Sequence, residues 1–366
     1  MNNKVIVFGC NHQNMLGLVR SLGEKGIRPY CICLQSNKGL VFSSKYPIEC
    51  HWAESPQAGY EYIVKTFSNE DPKPVLLSTD DVTETLFDLN ATFLREHFIV
   101  PAADEDGRVT YLMEKQNVAV SAKKCGFTVP TMFVAEKNKP LPKDVKYPVF
   151  TKSIKSIDGG KKEENVCNNE EELILAISNS RQGCLLVQQY INKQTEWCYQ
   201  GFTDGSKVYL PYVMKYLRYT DNAFGGYVKL EKVPESGFKQ QIRNLVKSTK
   251  YIGLFSVEFI LDKDGTPYFT EINFRHDGYS YFTTTGGANL PYLYCRSVAD
   301  GVWEANEDNV KSIVIGMNEA TDYSQFVCTG KISKFKWLGQ FLKADSHLLW
   351  NWYDMGPIWD MLKRKK

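Results

Sequence analysis

The sequence predicts an α/β chain of two characters: a parallel sheet covered by helices over roughly the first hundred residues, then an α+β region of antiparallel strands. Up to Pro101, continuous apolar runs alternate with segments of helical periodicity, the pattern of a sheet with helices on both faces. Beyond Pro101 the apolar runs shorten and follow one another across turn residues, as antiparallel pairing requires. The chain has 366 residues, 43% of them hydrophobic, with 20 Phe, 21 Tyr and 7 Trp. That is enough to fill about two or three domains with sizeable cores.

Residues 4–8 form a largely β-branched run, apolar from Val5 to Phe8. Gly9 then opens a loop through Asn11 and Asn14, and Leu16, Leu18, Val19 and Leu22 follow at helical spacing. Residues 27–34 read as a second strand, 60–67 as a helix and 75–77 as a strand. Ser78, Thr79, Asp80 and Asp81 are good N-caps for a helix over 82–94. Gly9 reads as a tight turn and His12 as a polar loop residue. Ligands of such sheets sit at the carboxyl ends of the strands, where the Gly9 and Asp80 loops lie. Residues 110–125 form a helix carrying Lys115, Lys123 and Lys124, stopped by Gly126, and Pro130 begins an extended segment. A short strand bearing Lys152 follows, then the turn Asp158-Gly159-Gly160-Lys161-Lys162. Residues 170–177 are helical, 184–191 a strand, and short strands continue at 197–203, 207–214 and 227–230. A helix over 237–251 leads into a hairpin, with strands 253–260 and 268–275 on either side of a breaker-rich turn.

Several function classes fall away at this stage. With 44 basic and 42 acidic residues the net charge is +2, too small a field to draw the whole protein to nucleic acid, so a small-molecule partner is expected. The run Gly9-Cys10-Asn11-His12-Gln13-Asn14 is not GxGxxG, which argues against a dinucleotide-dependent dehydrogenase. The five histidines do not pair with cysteines at zinc spacing. No run reaches the roughly 18 apolar residues of a membrane span, and no targeting peptide is visible at the amino terminus. The ten cysteines are scattered and lack a CxxC pair, so reduced thiols and a cytoplasmic location are expected.

Two places carry chemistry. A strand, a lysine and a glycine-rich basic turn at 146–162 read as a phosphate cradle. On the hairpin, Glu271 and Asn273 lie two apart on one strand and share a face, with Glu258 on the strand before them. Two carboxylates and a carboxamide are hard oxygen donors, suited to Mg²⁺ that bridges phosphates, and like charges on a sheet are unfavourable without a cation.

In order and spacing, Lys115, Lys152, the glycine turn, Gln188-Gln189-Tyr190-Ile191, Glu196, Glu258 and Glu271-Ile272-Asn273-Phe274-Arg275 resemble the ATP-grasp superfamily. More narrowly, residues 1 to about 300 look like its carboxylate–amine ligases of the D-aspartate ligase kind and its carbamoyl-phosphate-synthase-like members. The resemblance implies a Rossmann-like pre-ATP-grasp domain over 1–105 and a two-lobed ATP-grasp fold: a small lobe with its connecting helix over 106–192 and a large lobe with the Mg²⁺ site over 193–305. A helical, aromatic extension occupies 306–366. It implies ATP with Mg²⁺ or Mn²⁺. Lys115, Lys152, Gly159 and Gly160 would hold phosphates; the backbone of Gln188, Gln189, Tyr190 and Ile191 would read adenine; Glu196 would bind ribose. Gln188 stands where relatives often carry glutamate. Glu258, Glu271 and Asn273 match the metal ligands, and Arg275 the basic residue near the transferred phosphate. Lys215 and Arg218 match a basic position facing phosphate or substrate, with a solvated basic patch as the alternative. His276 matches the closing loop, where a structural role outweighs that of a base.

The implied activity is an ATP-dependent, ADP-forming C–N ligase that makes an amide through an acyl phosphate from small-molecule carboxylate and amine substrates, an amino acid or cell-surface precursor among them. A grasp-fold sensor or scaffold without turnover is the alternative. The aromatic segment with Trp337, Trp350, Trp352, Tyr353 and Trp359 is expected to pack onto the body, with a homodimer contact or a membrane surface as the other readings.

Overall fold

The structure, a computed structural model, describes residues 1–154, 163–220, 223–224 and 226–364. The chain opens with β1 (Val5–Cys10), α1 (Gln13–Gly23), β2 (Tyr30–Leu34), β3 (Glu49–Trp52), α2 (Pro56–Phe67), β4 (Val75–Ser78), α3 (Asp81–Leu89) and α4 (Ala91–His97). These strands form a parallel sheet in the order β3-β2-β1-β4. Alternate residues of β1 explain its unbroken apolar run. Val5 and Val7 pack with Leu16 and Val19 of α1, whereas Ile6 and Phe8 pack with Ile63 of α2 and Phe87 of α3, so both faces are covered. The expected helix over 82–94 is two helices, because the Asn90 amide bonds back to the Leu86 carbonyl at 2.8 Å and competes with the helical ladder.

Next come α5 (Arg108–Leu112), α6 (Lys115–Lys124), β5 (Met132–Glu136), β6 (Val149–Lys152), β7 (Asn165–Cys167), α7 (Glu170–Asn179) and β8 (Cys184–Gln189). They are followed by β9 (Lys193–Thr203), β10 (Val208–Tyr216), β11 (Tyr219–Thr220), β12 (Ala223–Phe224), β13 (Tyr227–Lys232), α8 (Gly237–Thr249), β14 (Gly253–Asp262) and β15 (Pro267–Asn273). The remainder holds α9 (Tyr281–Thr285), α10 (Leu290–Asp300), β16 (Ile313–Met317), α11 (Glu319–Asp322) with a π-helical turn at Tyr323–Val327, α12 (Lys334–Lys343), β17 (Ser346–His347) and α13 (Gly356–Arg364). A sheet in the order β5-β8-β6-β7 is antiparallel throughout, and a longer one runs β15-β14-β9-β10-β13-β16-β17.

The chain divides into two compact units. One comprises Met1–Val109, Trp197–Ser256 and Asn273–Lys366, and so takes in the parallel sheet and the segment from 306 onward. The other comprises Thr110–Glu196 and Val257–Ile272. Its sheet β5-β8-β6-β7 closes over α7 on a core of Ala135, Val149, Leu173, Ile177, Leu185 and Val187. Its hairpin residues Phe259 and Phe269 pack on Phe127, with ring centroids 5.2 and 6.3 Å away. All ten cysteines are free, and no helix among the described residues is long and apolar enough to cross a membrane.

Candidate functional site

Within the second unit, Lys115 is the first residue of α6 and is buried, with its Nζ 3.2 Å from Glu271 Oε2 on β15. Lys152 is the last residue of β6, a strand held by β7 on one side and β8 on the other. Burial, reinforced by the charge of Lys115, lowers the Lys152 ammonium to about 8, against the pull of Glu271, Glu164 and Glu258. The two lysines and two hairpin carboxylates therefore share one electrostatic neighbourhood. The hairpin is held there by backbone: Phe269 N–H donates to Thr128 O at 2.9 Å, and Thr270 Oγ1 donates to Glu258 O at 2.9 Å.

Glu196, on β9, is paired with Lys193 at 2.9 Å, yet burial still raises its pKa, and Glu271 and Glu164 push in the same direction. Gln188 and Gln189 end β8; Gln188 is buried, Gln189 N–H donates to Thr131 O at 2.8 Å, Tyr190 is exposed and Ile191 is buried. Gly159 and Gly160 lie outside the described residues. Sequence reasoning missed Glu164 and Lys193. Lys193 was open to discovery through its i,i+3 spacing to Glu196, whereas Glu164 carried no signal beyond its nearness to the glycine turn.

The first unit holds the rest. Asn273 Nδ2 donates to Ser256 Oγ at 3.2 Å, and Asn273 Oδ1 accepts from Arg275 Nη2 at 3.2 Å. Arg275 Nε lies 2.7 Å from Asp81 Oδ1, on the first residue of α3. Asp80 is the cap of that helix: Oδ1 accepts from Thr83 N–H at 3.0 Å, and Oδ2 accepts from Cys10 N–H at 2.9 Å. The loops after β1 and β4 are thus tied together at the carboxyl edge of the parallel sheet, beside Arg275. Gly9 is required there, since a Cβ would collide with the Thr79 side chain. His12 is the N-cap of α1, accepting from Asn14 N–H.

His276 is fully buried, its Nδ1 2.6 Å from Asn14 Oδ1, and burial lowers its pKa to about 3, so it is neutral at physiological pH. Lys215 pairs with Glu231 and lies over the Trp197 ring. Arg218 is 3.2 Å from the buried Asp322, stacks on Tyr227 and donates to Gln340 Oε1 at 3.0 Å.

No family model matches the chain, and no curated relative does. Solved structures do. An L-amino acid ligase from Bacillus licheniformis superposes with a TM-score of 0.66 at 15% identity, covering 86% of this chain and 79% of its own. The biotin carboxylase domain of the Hydrogenobacter thermophilus 2-oxoglutarate carboxylase, crystallised with MgADP and bicarbonate, gives 0.66 at 18% identity, covering 85% and 73%. An N5-carboxyaminoimidazole synthase from Aspergillus clavatus, with ADP and its ribonucleotide, gives 0.64 at 14%, covering 86% and 81%. At these identities the likeness is one of fold. The fold is the two-lobed ATP-grasp fold, preceded by a Rossmann-like parallel sheet, as the sequence resemblance implies.

Proposed function

We propose that this protein is an ATP- and Mg²⁺-dependent ligase that joins a carboxylate to an amine through an acyl phosphate. The observation that carries the reading is the pair Lys115 and Lys152, brought with Glu258 and Glu271 into one neighbourhood in which Lys152 is held down at about 8. Such a cluster is completed by a polyanion. Neighbours of the same fold bind ADP, and one is an amino acid ligase, which supports an amino acid as one reactant.

In this reading Lys115 and Lys152 hold the phosphates of ATP as point charges. Gly159 and Gly160 are assigned to the same phosphates on sequence grounds, the 188–191 backbone to adenine, and Glu196 to the ribose hydroxyls. Glu258 and Glu271, with Asn273 two residues along β15, offer only oxygen donors, the set Mg²⁺ prefers, and Mn²⁺ accepts the same set. A divalent cation held by these residues would supply positive charge to neutralise that developing on the transferred phosphoryl group. A carboxylate oxygen of the first substrate attacks the γ-phosphorus, the bond to the β,γ-bridging oxygen breaks, and ADP leaves. The amine nitrogen then attacks the acyl carbon, phosphate departs with the C–O electrons, and the nitrogen sheds its proton. Arg275, oriented by Asp81, stabilises the oxyanion of that adduct. Lys215 is paired with Glu231 and packed over Trp197, and Arg218 is held at once by Asp322, Tyr227 and Gln340, so we assign both to holding structure. A demand for ATP supports a cytoplasmic location for the reaction.

The test is ADP and phosphate release from Mg²⁺-ATP across a matrix of amino acids and small carboxylates. A stimulating pair is expected, and Glu271→Gln should lower that rate at least about a hundredfold with an unchanged circular dichroism spectrum. Binding of ATP with no stimulated release would favour the sensor or scaffold; no binding of ATP would overturn both.

A further inference from the structure

The chain as a whole is nearly neutral, but its charge is not evenly spread. Residues 331–366 carry eight Lys or Arg against three Asp, a local excess of five within a chain whose total is +2. Two of those aspartates are spent internally: Asp354 on Arg20, and Asp345 on the Ile315 N–H at 2.8 Å.

The same segment exposes apolar side chains. α12 buries none of its residues, and Phe335 is 89% exposed, Leu342 73%. With Leu338, half-exposed, they recur at i, i+3 and i+7 and form one stripe. At 100° per residue Lys334 flanks that stripe on one side and Lys336 and Lys343 on the other, and the helix has no acidic residue. Its opposite face is the one that packs. Trp337 donates from Nε1 to Asp322 Oδ2 at 2.9 Å and stacks on Phe341 at 5.3 Å. From Phe341 the rings continue to Trp350 and then to Trp352, which with Tyr353 is about three-quarters exposed.

We propose that α12 and the loop 350–353 dock on an anionic lipid surface, the helix lying in the plane of the interface. Leu and Phe enter the acyl boundary, Trp352 and Tyr353 sit at headgroup level, and the flanking lysines reach the phosphates. A ten-residue helix is too short to span, which suits this geometry. Charge selects the occupant: a second copy would bring the same excess of cations face to face, whereas an acidic membrane complements it.

The test is flotation of the full chain with phosphatidylglycerol–phosphatidylcholine vesicles and with pure phosphatidylcholine. It requires no turnover and so stands or falls apart from the ligase reading. Binding is expected to the mixed vesicles, to weaken with salt, and to be lost in Phe335→Ser/Leu342→Ser, whose exposed positions leave the fold intact. Each lysine is worth roughly a fivefold gain in partitioning, so Lys334→Glu/Lys336→Glu should lower binding by at least about twentyfold. Equal binding to both vesicles, no binding to either, or indifference to the Phe335/Leu342 pair would overturn the proposal. A concentration-dependent dimer in sedimentation, abolished by that pair without any vesicle binding, would do so in favour of a second copy.

Discussion

In one compact unit Arg20 is fully buried, and its guanidinium is matched group by group. Nε meets Asp354 Oδ2 at 2.9 Å, Nη1 donates to Leu348 O at 2.7 Å, and Nη2 donates to Leu349 O and Asp354 O at 3.0 and 2.9 Å. Asp354 in turn accepts from Ser44 Oγ and Lys45 N–H, both at 2.9 Å. Lys239, equally buried, has Glu235, Glu307 and the Val233 carbonyl. In the other unit Lys152 stands beside a second lysine and is lowered to about 8, while Glu196 is raised despite its partner Lys193. Charges that hold a fold are matched when the chain closes. The charges around Lys152 are left in mutual tension, which on the proposed reading a ligand relieves, and perturbed groups of this kind gather at functional sites.

The largest effect that can break this contrast is in stability. Arg20→Met should cost about 3–5 kcal/mol, since Asp354 stays buried without its cation, and urea denaturation should show an early midpoint. The double variant Arg20→Met/Asp354→Leu should recover most of that loss. Next in size is Lys152→Met, which removes a charge the fold already disfavours. It should leave the midpoint where it was while lowering ATP affinity by about a hundredfold, read by calorimetry. If Lys152→Met destabilised as Arg20→Met does, the two sites would be of one kind.

How much of this was legible follows the same division. Local chemistry was: the strand run before Gly9, the Asp80 cap, the lysine on β6, and the hairpin with Glu258 and Glu271. The ordered spacing of those residues was enough to reach the ATP-grasp fold. What escaped were features decided by partners distant in sequence. β3 shows no clean alternation, and it exists because β2 offers an edge on which Cys31 pairs with Cys50. β16 likewise forms against β13, far before it in the chain. The helix expected over 110–125 divides into α5 and α6; the N–H of Val109, just inside α5, is held by Asp88 Oδ1 at 3.0 Å, a bond no local pattern announces. The aromatic segment is tied to the body by Arg20 through Asp354 and the carbonyls of Leu348 and Leu349, whereas Trp337 packs within the segment on Asp322, and Trp352, Tyr353 and Trp359 are exposed. A composition count cannot separate those two sets, because the same residue types serve both.

The smallest effect is also the sharpest, because it reads the tension itself. Lys152 in the free protein titrates near 8, so below that pH it is charged and ready. Phosphates bound beside it, as proposed, would favour the ammonium and raise its pKa in the complex. Between the two values, binding must take up a proton, and affinity falls as pH rises. ATP affinity should therefore be level from pH 6.5 to 7.5 and weaken about tenfold by pH 9, with uptake approaching one proton in calorimetry across buffers of different ionisation enthalpy. Lys152→Arg keeps its charge at every pH and should flatten that slope while binding remains. A wild-type slope that survived in Lys152→Arg would move the titrating group elsewhere and remove the tension at Lys152 from the account of binding.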